Sequence, residues 1–198
     1  MGRMRSADRR RQLLQVAADM FARMGYRGTT TAQLARAAGI TEPILYRHFE
    51  NKLDLFITLV DEVGREVIND WQQRLDGIKD PAKRLELLLA GNPSTHEKGK
   101  GVYRVIFQAM TEVEADPEIV RALRKHLAKL HKFIKDELTA LQKAGFMRRD
   151  EPPADLAWLL INVAVGYGMV SPLGVGGAGA GRKIEMERLL TDLVTQSK

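Results

Sequence analysis

Apolar side chains recur at three-and-four spacing along most of the chain, and glycines, prolines and threonines interrupt them at intervals. The pattern predicts a string of helices. Leu13, Leu14, Ala17, Ala18 and Phe21 form one stripe on a helix from about Ser6 to Met24. Gly25 and Gly28 break it, and Thr29, Thr30 and Thr31 then offer hydroxyls to the N–H groups of a new helix start. Thr30 with Gln33 fits a capping box, Leu34, Ala35 and Ala38 form an apolar face, and Gly39 suits a helix stop in the left-handed conformation. Thr41 is placed to cap the next helix and Pro43 falls in its first turn, where a missing N–H costs little. Ile44, Leu45 and Phe49 carry the helical spacing on. Ala35 is small where two helices need to approach closely, so the segment suits a helix-turn-helix whose second helix enters a major groove. Spacing alone leaves open a small helical hairpin that touches no nucleic acid.

The rest of the chain continues as helices. Leu55, Phe56, Leu59, Val63, Val67 and Trp71 line one from about Lys52 to Leu75, with Asp61, Glu62 and Arg65 left for solvent. A short helix is expected from Pro81 to about Ala90, a loop over 91–101, and another helix over 102–114. A long helix between Pro117 and Gly145 carries Val120, Leu123, Leu127, Leu130, Ile134, Leu138 and Leu141. Helices over about 153–170 and 182–196 close the chain. No strand and no internal repeat is predicted, so the class is all-α. The segment from Asp155 to Val170 is apolar around most of its circumference, which makes it either the centre of the core or half of an interface.

Charge sharpens the reading of the first quarter. Residues 1–52 hold ten cationic side chains (Arg3, Arg5, Arg9, Arg10, Arg11, Arg23, Arg27, Arg36, Arg47, Lys52) against four acidic ones (Asp8, Asp19, Glu42, Glu50). This segment therefore carries the whole net charge of +6, and the remainder is neutral. A basic segment joined to a neutral body is the electrostatic footprint of a phosphate-binding module.

The run from Gly25 to Phe56, GYRGTTTAQLARAAGITEPILYRHFENKLDLF, resembles the N-terminal signature of the TetR family of bacterial transcriptional regulators. The match runs from Phe21 and Gly25-Tyr26 through Thr30-Thr31, Leu34-Ala35, Ala38-Gly39-Ile40 and Leu45 to Phe49, then to Lys52 and Leu55-Phe56. The resemblance implies a helix-turn-helix domain over about 8–68 and a helical ligand-binding and dimerisation domain over about 69–198. It implies a homodimer joined through the helices at about 153–170 and 182–196, a palindromic double-stranded DNA operator, and an unidentified small-molecule effector.

Roles follow residue by residue where the motif matches. Thr30, Thr31 and Thr41 stand at helix starts, where hydroxyls and N–H groups suit phosphate oxygens. Tyr46 and His48 match positions that commonly touch the DNA backbone in relatives, Tyr46 being able to pack on a thymine methyl as well, and Lys52 is expected on a phosphate. Arg47 suits either bidentate guanine recognition or a phosphate. Pro43 and Ile44 stand where the family often has Gly or Ser and then Thr, Ser or Asn; Ile44 is expected against a thymine methyl or a sugar. Glu42 either accepts from a cytosine amino group or complements the helix N-terminus. Arg5, with Arg3, Arg9, Arg10 and Arg11, forms either an arm on phosphates or the minor groove, or a solvated tail. For the effector, the candidate lining is Trp71, Tyr103, Phe107, Met110, Phe133, Trp158, Asn162 and Tyr167, residue types that on an apolar helix face are more often core than pocket.

Little else in the sequence suggests chemistry. With no cysteine there is neither a disulfide nor a thiolate metal site, which fits a reducing compartment. The Arg-rich start lacks the apolar core of a signal peptide, and Leu156 to Val170, the nearest approach to a membrane span, contains Trp158, Asn162, Gly166 and Gly168. Gly174, Gly176 and Gly179 formally satisfy G-x-G-x-x-G but follow a helix and read as a linker. His126 and His131 face different directions on one helix, and His96 lies in a loop. The expectation is a cytoplasmic, nucleoid-associated, ligand-responsive repressor without cofactor, metal or enzymatic activity. The alternatives are a ligand sensor that binds no operator and a nonspecific DNA-coating protein.

Overall fold

The computed structural model describes residues 5–90, 103, 105–107, 109, 110, 116–170, 173 and 188–195. The expected loop over 91–101, the glycine run after Leu173, His96 and all of 182–187 lie outside them. The helices are α1 (Ser6–Gly28), α2 (Thr31–Ala37), α3 (Glu42–Tyr46), α4 (Lys52–Leu75), α5 (Pro81–Ala90), α6 (Pro117–Lys143) and α7 (Pro153–Val170). Residues 103, 105–107, 109, 110 and 188–194 are helical as well. Among the described residues the one extended pairing is an isolated antiparallel bridge between Met147 and Thr195. The class is all-α.

Two compact units divide the chain: Met1–Val63 with Gly101–His126, and Gly64–Lys100 with Leu127–Lys198. In the first, Leu13, Ala17, Phe21, Leu34, Leu45, Phe49, Leu55, Phe56 and Val60 are buried, as are Tyr103, Val105, Ile106, Ile119 and Leu123. Its focus is aromatic: Phe21 meets Phe56 edge-on at 5.0 Å, and Tyr26 lies 4.8 Å from Phe56. Such ring pairs add to what area burial alone contributes. Tyr103 is also part of this unit, and burial pushes its phenol well above its usual range, so it stays neutral.

The second unit is built on Leu85, Leu88, Leu130, Ile134, Leu138, Leu141, Met147, Leu156, Leu160 and Ile161, all buried. Trp71 stacks on Phe133 at 5.7 Å. Arg84 of α5 holds three elements of the unit together: its Nη1 donates to the carbonyls of Leu75 (2.9 Å) and Ile78 (2.8 Å), while Nη2 and Nε donate to Glu137 Oε2 of α6 at 2.6 and 3.2 Å. α7 buries Leu156, Ala157, Leu160, Ile161 and Gly168 on one side. Trp158, Leu159, Met169 and Val170 remain exposed on the other. By length and composition α7 would serve as a membrane crossing, although five of its residues are buried within the protein.

Two helix ends differ from the pattern. α1 runs to Gly28, not Met24, because Gly25 takes φ 72° and ψ 172° and joins two helical pieces across a kink. α3 stops at Tyr46 and does not continue to Phe49; Arg47 and His48 form a turn that brings Phe49 into the core at 2% exposure. The apolar spacing of Leu45 and Phe49 reflects two residues pointing inward from either side of that turn.

Candidate nucleic-acid interface

Local chemistry sets the geometry of α2 and α3. Thr30 is the N-cap of α2: its hydroxyl accepts from the Gln33 N–H at 3.2 Å, and the Gln33 side chain accepts from the Thr30 N–H at 2.8 Å, closing the capping box. Thr29 does not cap; it is fully buried and its hydroxyl donates back to the Gly25 carbonyl at 2.8 Å. At the other end Gly39 has φ 66°, its N–H reaches the Arg36 carbonyl at 3.1 Å, and the Ile40 N–H reaches that of Ala35 at 2.9 Å. These are the paired bonds of a Schellman ending, which reverses the chain in a fixed direction toward α3. Thr41 holds the N-cap position of α3, but its hydroxyl makes no capping bond.

The predicted DNA-contact residues mostly gather on this surface. Thr30, Thr41, Pro43, Tyr46 and Arg47 are exposed, and Thr31, Glu42, Ile44 and His48 are half-buried. A hydrogen-bonded chain links three of them: Tyr46 Oη donates to Thr31 Oγ1 at 3.3 Å, and Thr31 Oγ1 donates to Glu42 Oε2 at 2.7 Å. The single hydroxyl proton of Thr31 is therefore directed at the Glu42 carboxylate, which fixes that carboxylate against α2.

The basic residues divide. Arg36 and Arg47 are exposed beside the turn. Arg10 instead lies 4.2 Å over the Phe49 ring and donates to the His48 carbonyl, fastening α1 to the end of α3. Arg9 donates to Gln12 at 2.6 Å and Arg11 pairs with Asp8 at 3.7 Å. Arg9, Arg10 and Arg11 are thus first turns of a helix, neither a loose arm nor a tail; Arg5 is its exposed N-cap, and Arg3 lies outside the described residues. Lys52 reaches inward too, to the carbonyls of Tyr26 and Thr29.

Sequence reasoning missed Asn51. Its Oδ1 accepts from the Asp54 N–H at 2.9 Å and Asp54 returns a bond to the Glu50 N–H at 2.9 Å, so Asn51 caps α4; the N-x-x-D spacing was the available signal.

The candidate effector residues fall into separate groups. Tyr103 lies 5.9 Å from Phe107 and 6.4 Å from His126, and Met110 is half-buried, in the first unit. In the second, Trp71 stacks with Phe133, and Trp158 stacks on His131 at 4.6 Å. Asn162 is exposed, so solvent serves its amide; Tyr167 is half-buried.

Residues 13–59 match the profile of the bacterial regulatory proteins of the tetR family. That match covers the helix-turn-helix part of the chain and makes this segment similar to the DNA-binding part of the tetR family. The nucleoid occlusion factor SlmA of Aliivibrio fischeri (strain MJ11) is 34% identical over 103 residues, 52% of this chain and 53% of that one. The HTH-type transcriptional repressor KstR2 of Mycolicibacterium smegmatis is 33% identical over 127 residues, 64% of this chain and 55% of that one. The chain thus spans about half the length of these curated relatives. Among solved structures, a Saccharomonospora viridis protein in complex with choline superposes with TM-score 0.84 at 22% identity, covering 97% of this chain and 100% of that one. A TetR-family regulator from Agrobacterium tumefaciens superposes with TM-score 0.80 at 19% identity, covering 96% and 99%. At these identities the superpositions establish the TetR-like fold: an N-terminal helix-turn-helix followed by a helical domain.

Proposed function

We propose that this chain is a TetR-family homodimeric transcriptional repressor that binds a palindromic operator through α2 and α3 and is released by a small-molecule effector. The observation that carries the reading is the fixed α2–turn–α3 corner with Pro43, Tyr46 and Arg47 exposed on it. A short helix held by a Schellman turn and a capping box loses little freedom on entering a major groove. Arg47 reads a guanine or grips a phosphate, Tyr46 and His48 contact the backbone, and Ile44 packs on a thymine methyl. Thr30, Thr31, Thr41 and Arg5 lie against phosphates. Glu42, its carboxylate fixed by Thr31, accepts from a cytosine amino group.

Dimerisation is supported by the second unit's apolar surface. Trp158, Leu159, Met169 and Val170 on α7, with Leu189 and Leu193 of 188–194, are exposed, an arrangement that invites a second copy. Two-fold symmetry then presents two recognition helices, and the protein works at the nucleoid in the cytoplasm. For the effector, the buried Trp71 Nε1 has no hydrogen-bond acceptor among the described residues, which supports a ligand bearing an acceptor beside an apolar body.

Selection of bound duplexes from a randomised pool at near-physiological salt tests this reading. An enriched palindrome is expected, and Arg47→Ala should weaken binding to it while leaving the dimer intact. Salt-sensitive retention without enrichment would replace the reading with nonspecific DNA coating, and no retention would leave a ligand sensor.

A further inference from the structure

Lys52 is the first residue of α4. A lysine at a helix N-terminus is in an unfavourable place, because its charge faces the positive end of the helix dipole. The side chain of Lys52 leaves that end. Its Nζ donates to the Tyr26 carbonyl at 3.0 Å and the Thr29 carbonyl at 3.0 Å, and sits 4.3 Å from the centroid of the Tyr26 ring. Both acceptors belong to the carbonyl end of α1, where a cation is favoured. They also flank the chain reversal into α2: Tyr26 O additionally receives the Thr29 N–H at 3.4 Å, and Thr29 immediately precedes the Thr30 cap.

The surroundings stiffen the arrangement. The Tyr26 ring that carries the ammonium packs on Phe56, one turn along α4 from Lys52, and the Thr29 side chain is fully buried. A cation bonded to two main-chain oxygens and lying over a ring has little left to offer a phosphate.

We propose that Lys52 is a positioning residue: it bolts the start of α4 to the α1–α2 junction and so holds the helix-turn-helix in the orientation that binds DNA, without itself contacting a phosphate. The consequence for binding rests on the function proposed above; the bolt does not. A displacement of the start of α4 would pull on the Tyr26 and Thr29 carbonyls directly, so this contact is a route by which α4 alters the DNA-binding surface.

The test compares the full chain with Lys52→Met, which keeps most of the stem and loses the ammonium, and Lys52→Gln, which keeps an uncharged N–H donor. Amide hydrogen exchange at Thr29 to Thr31 is read without DNA, with the amides of Leu59 to Val63 as the control that each variant is folded. The proposal expects exchange at 29–31 to speed up about tenfold in K52M, and part of that protection to return in K52Q. It also expects affinity for a selected duplex to fall in K52M with the salt dependence unchanged. Losing a phosphate contact lowers the slope of log K against log salt by about 1. Unchanged exchange at 29–31 in a folded K52M overturns the bolt. A slope lowered by about 1 returns Lys52 to the phosphates and overturns the proposal as well. Wild-type protein that retains no duplex refutes the DNA-binding reading, and the exchange measurement still decides the bolt.

Discussion

Arg84→Met removes the guanidinium that joins the α4–α5 turn to α6 and leaves a side chain of similar length. Four hydrogen bonds disappear, two to Glu137 Oε2 and one each to the carbonyls of Leu75 and Ile78. The side chains of Arg84 and Glu137 are only 25% and 19% exposed, so the lost partners are incompletely replaced by water. Fully buried pairs cost about 3–5 kcal/mol when one member is removed, and exposed pairs about 0–1. This site lies between those limits, and the two stranded carbonyls move it toward the upper one. The expected cost is about 3 kcal/mol, or roughly 6–12 °C in Tm for a chain of this size.

Urea unfolding at fixed protein concentration measures the effect, because any dimerisation makes stability depend on concentration. Glu137→Gln should cost less, about 1–1.5 kcal/mol, since the amide oxygen still accepts from Arg84 and both carbonyls keep their donor. In the double variant the stranded carboxylate is gone, so the two losses should fall short of additivity by about 1 kcal/mol or more. A loss under about 1 kcal/mol for Arg84→Met, or additivity within about 0.5 kcal/mol, would show that Arg84 does not hold the α4–α5 turn to α6.

Thr30→Ala should cost about 1 kcal/mol by opening the capping box, and urea midpoints check it. Gly166 lies on the exposed side of α7 with open space where a Cβ would stand; Gly166→Leu should leave the helical circular dichroism unchanged while sedimentation shows loss of the dimer, and a persistent dimer would move the interface elsewhere. The Arg148 guanidinium, bonded to Asp150 Oδ1 at 2.6 Å, holds the Asp150 carboxyl below its usual range. Because the folded-state value is depressed, this contribution is present above the usual aspartate range and fades as pH falls through the folded midpoint. Arg148→Met should therefore raise the Asp150 midpoint in a carboxyl NMR titration, and an unmoved midpoint would remove the ion pair from solution.

The parts of the site legible in sequence are those decided by bonds between near neighbours. Thr30 and Gln33 are three residues apart and Gly39 ends its own helix, so local rules reach them. The length of α3 escaped the same reading because periodicity does not distinguish a helix from a turn that returns the chain to the core, and Phe49 is buried by the turn. Lys52 and Arg10 escaped for a different reason. Their acceptors are main-chain carbonyls 23 to 38 residues away, and a carbonyl has no signature in sequence because every residue carries one. His126 likewise occupies a core position of α6 at 2% exposure, in a stripe that the apolar residues alone leave incomplete.

That difference bears on how the basic segment works. Its net charge counts every cation alike, yet Arg10 and Lys52 are turned onto carbonyls and aromatic rings while Arg36 and Arg47 are exposed. At physiological salt, fields decay over about 8 Å, so an inward cation still adds to the attraction that brings a duplex near, but makes no short contact when it arrives. Net charge therefore governs the encounter, and the arrangement of the few outward cations governs the bound complex. Arg10→Met should accordingly act as a stability variant, with a lower urea midpoint and a salt slope like that of the parent. Arg47→Met should do the reverse, leaving stability alone and lowering affinity, with a slope reduced by about 1 if its partner is a phosphate or retained if its partner is a base. A common response of the two arginines would mean that position on the surface does not separate their roles.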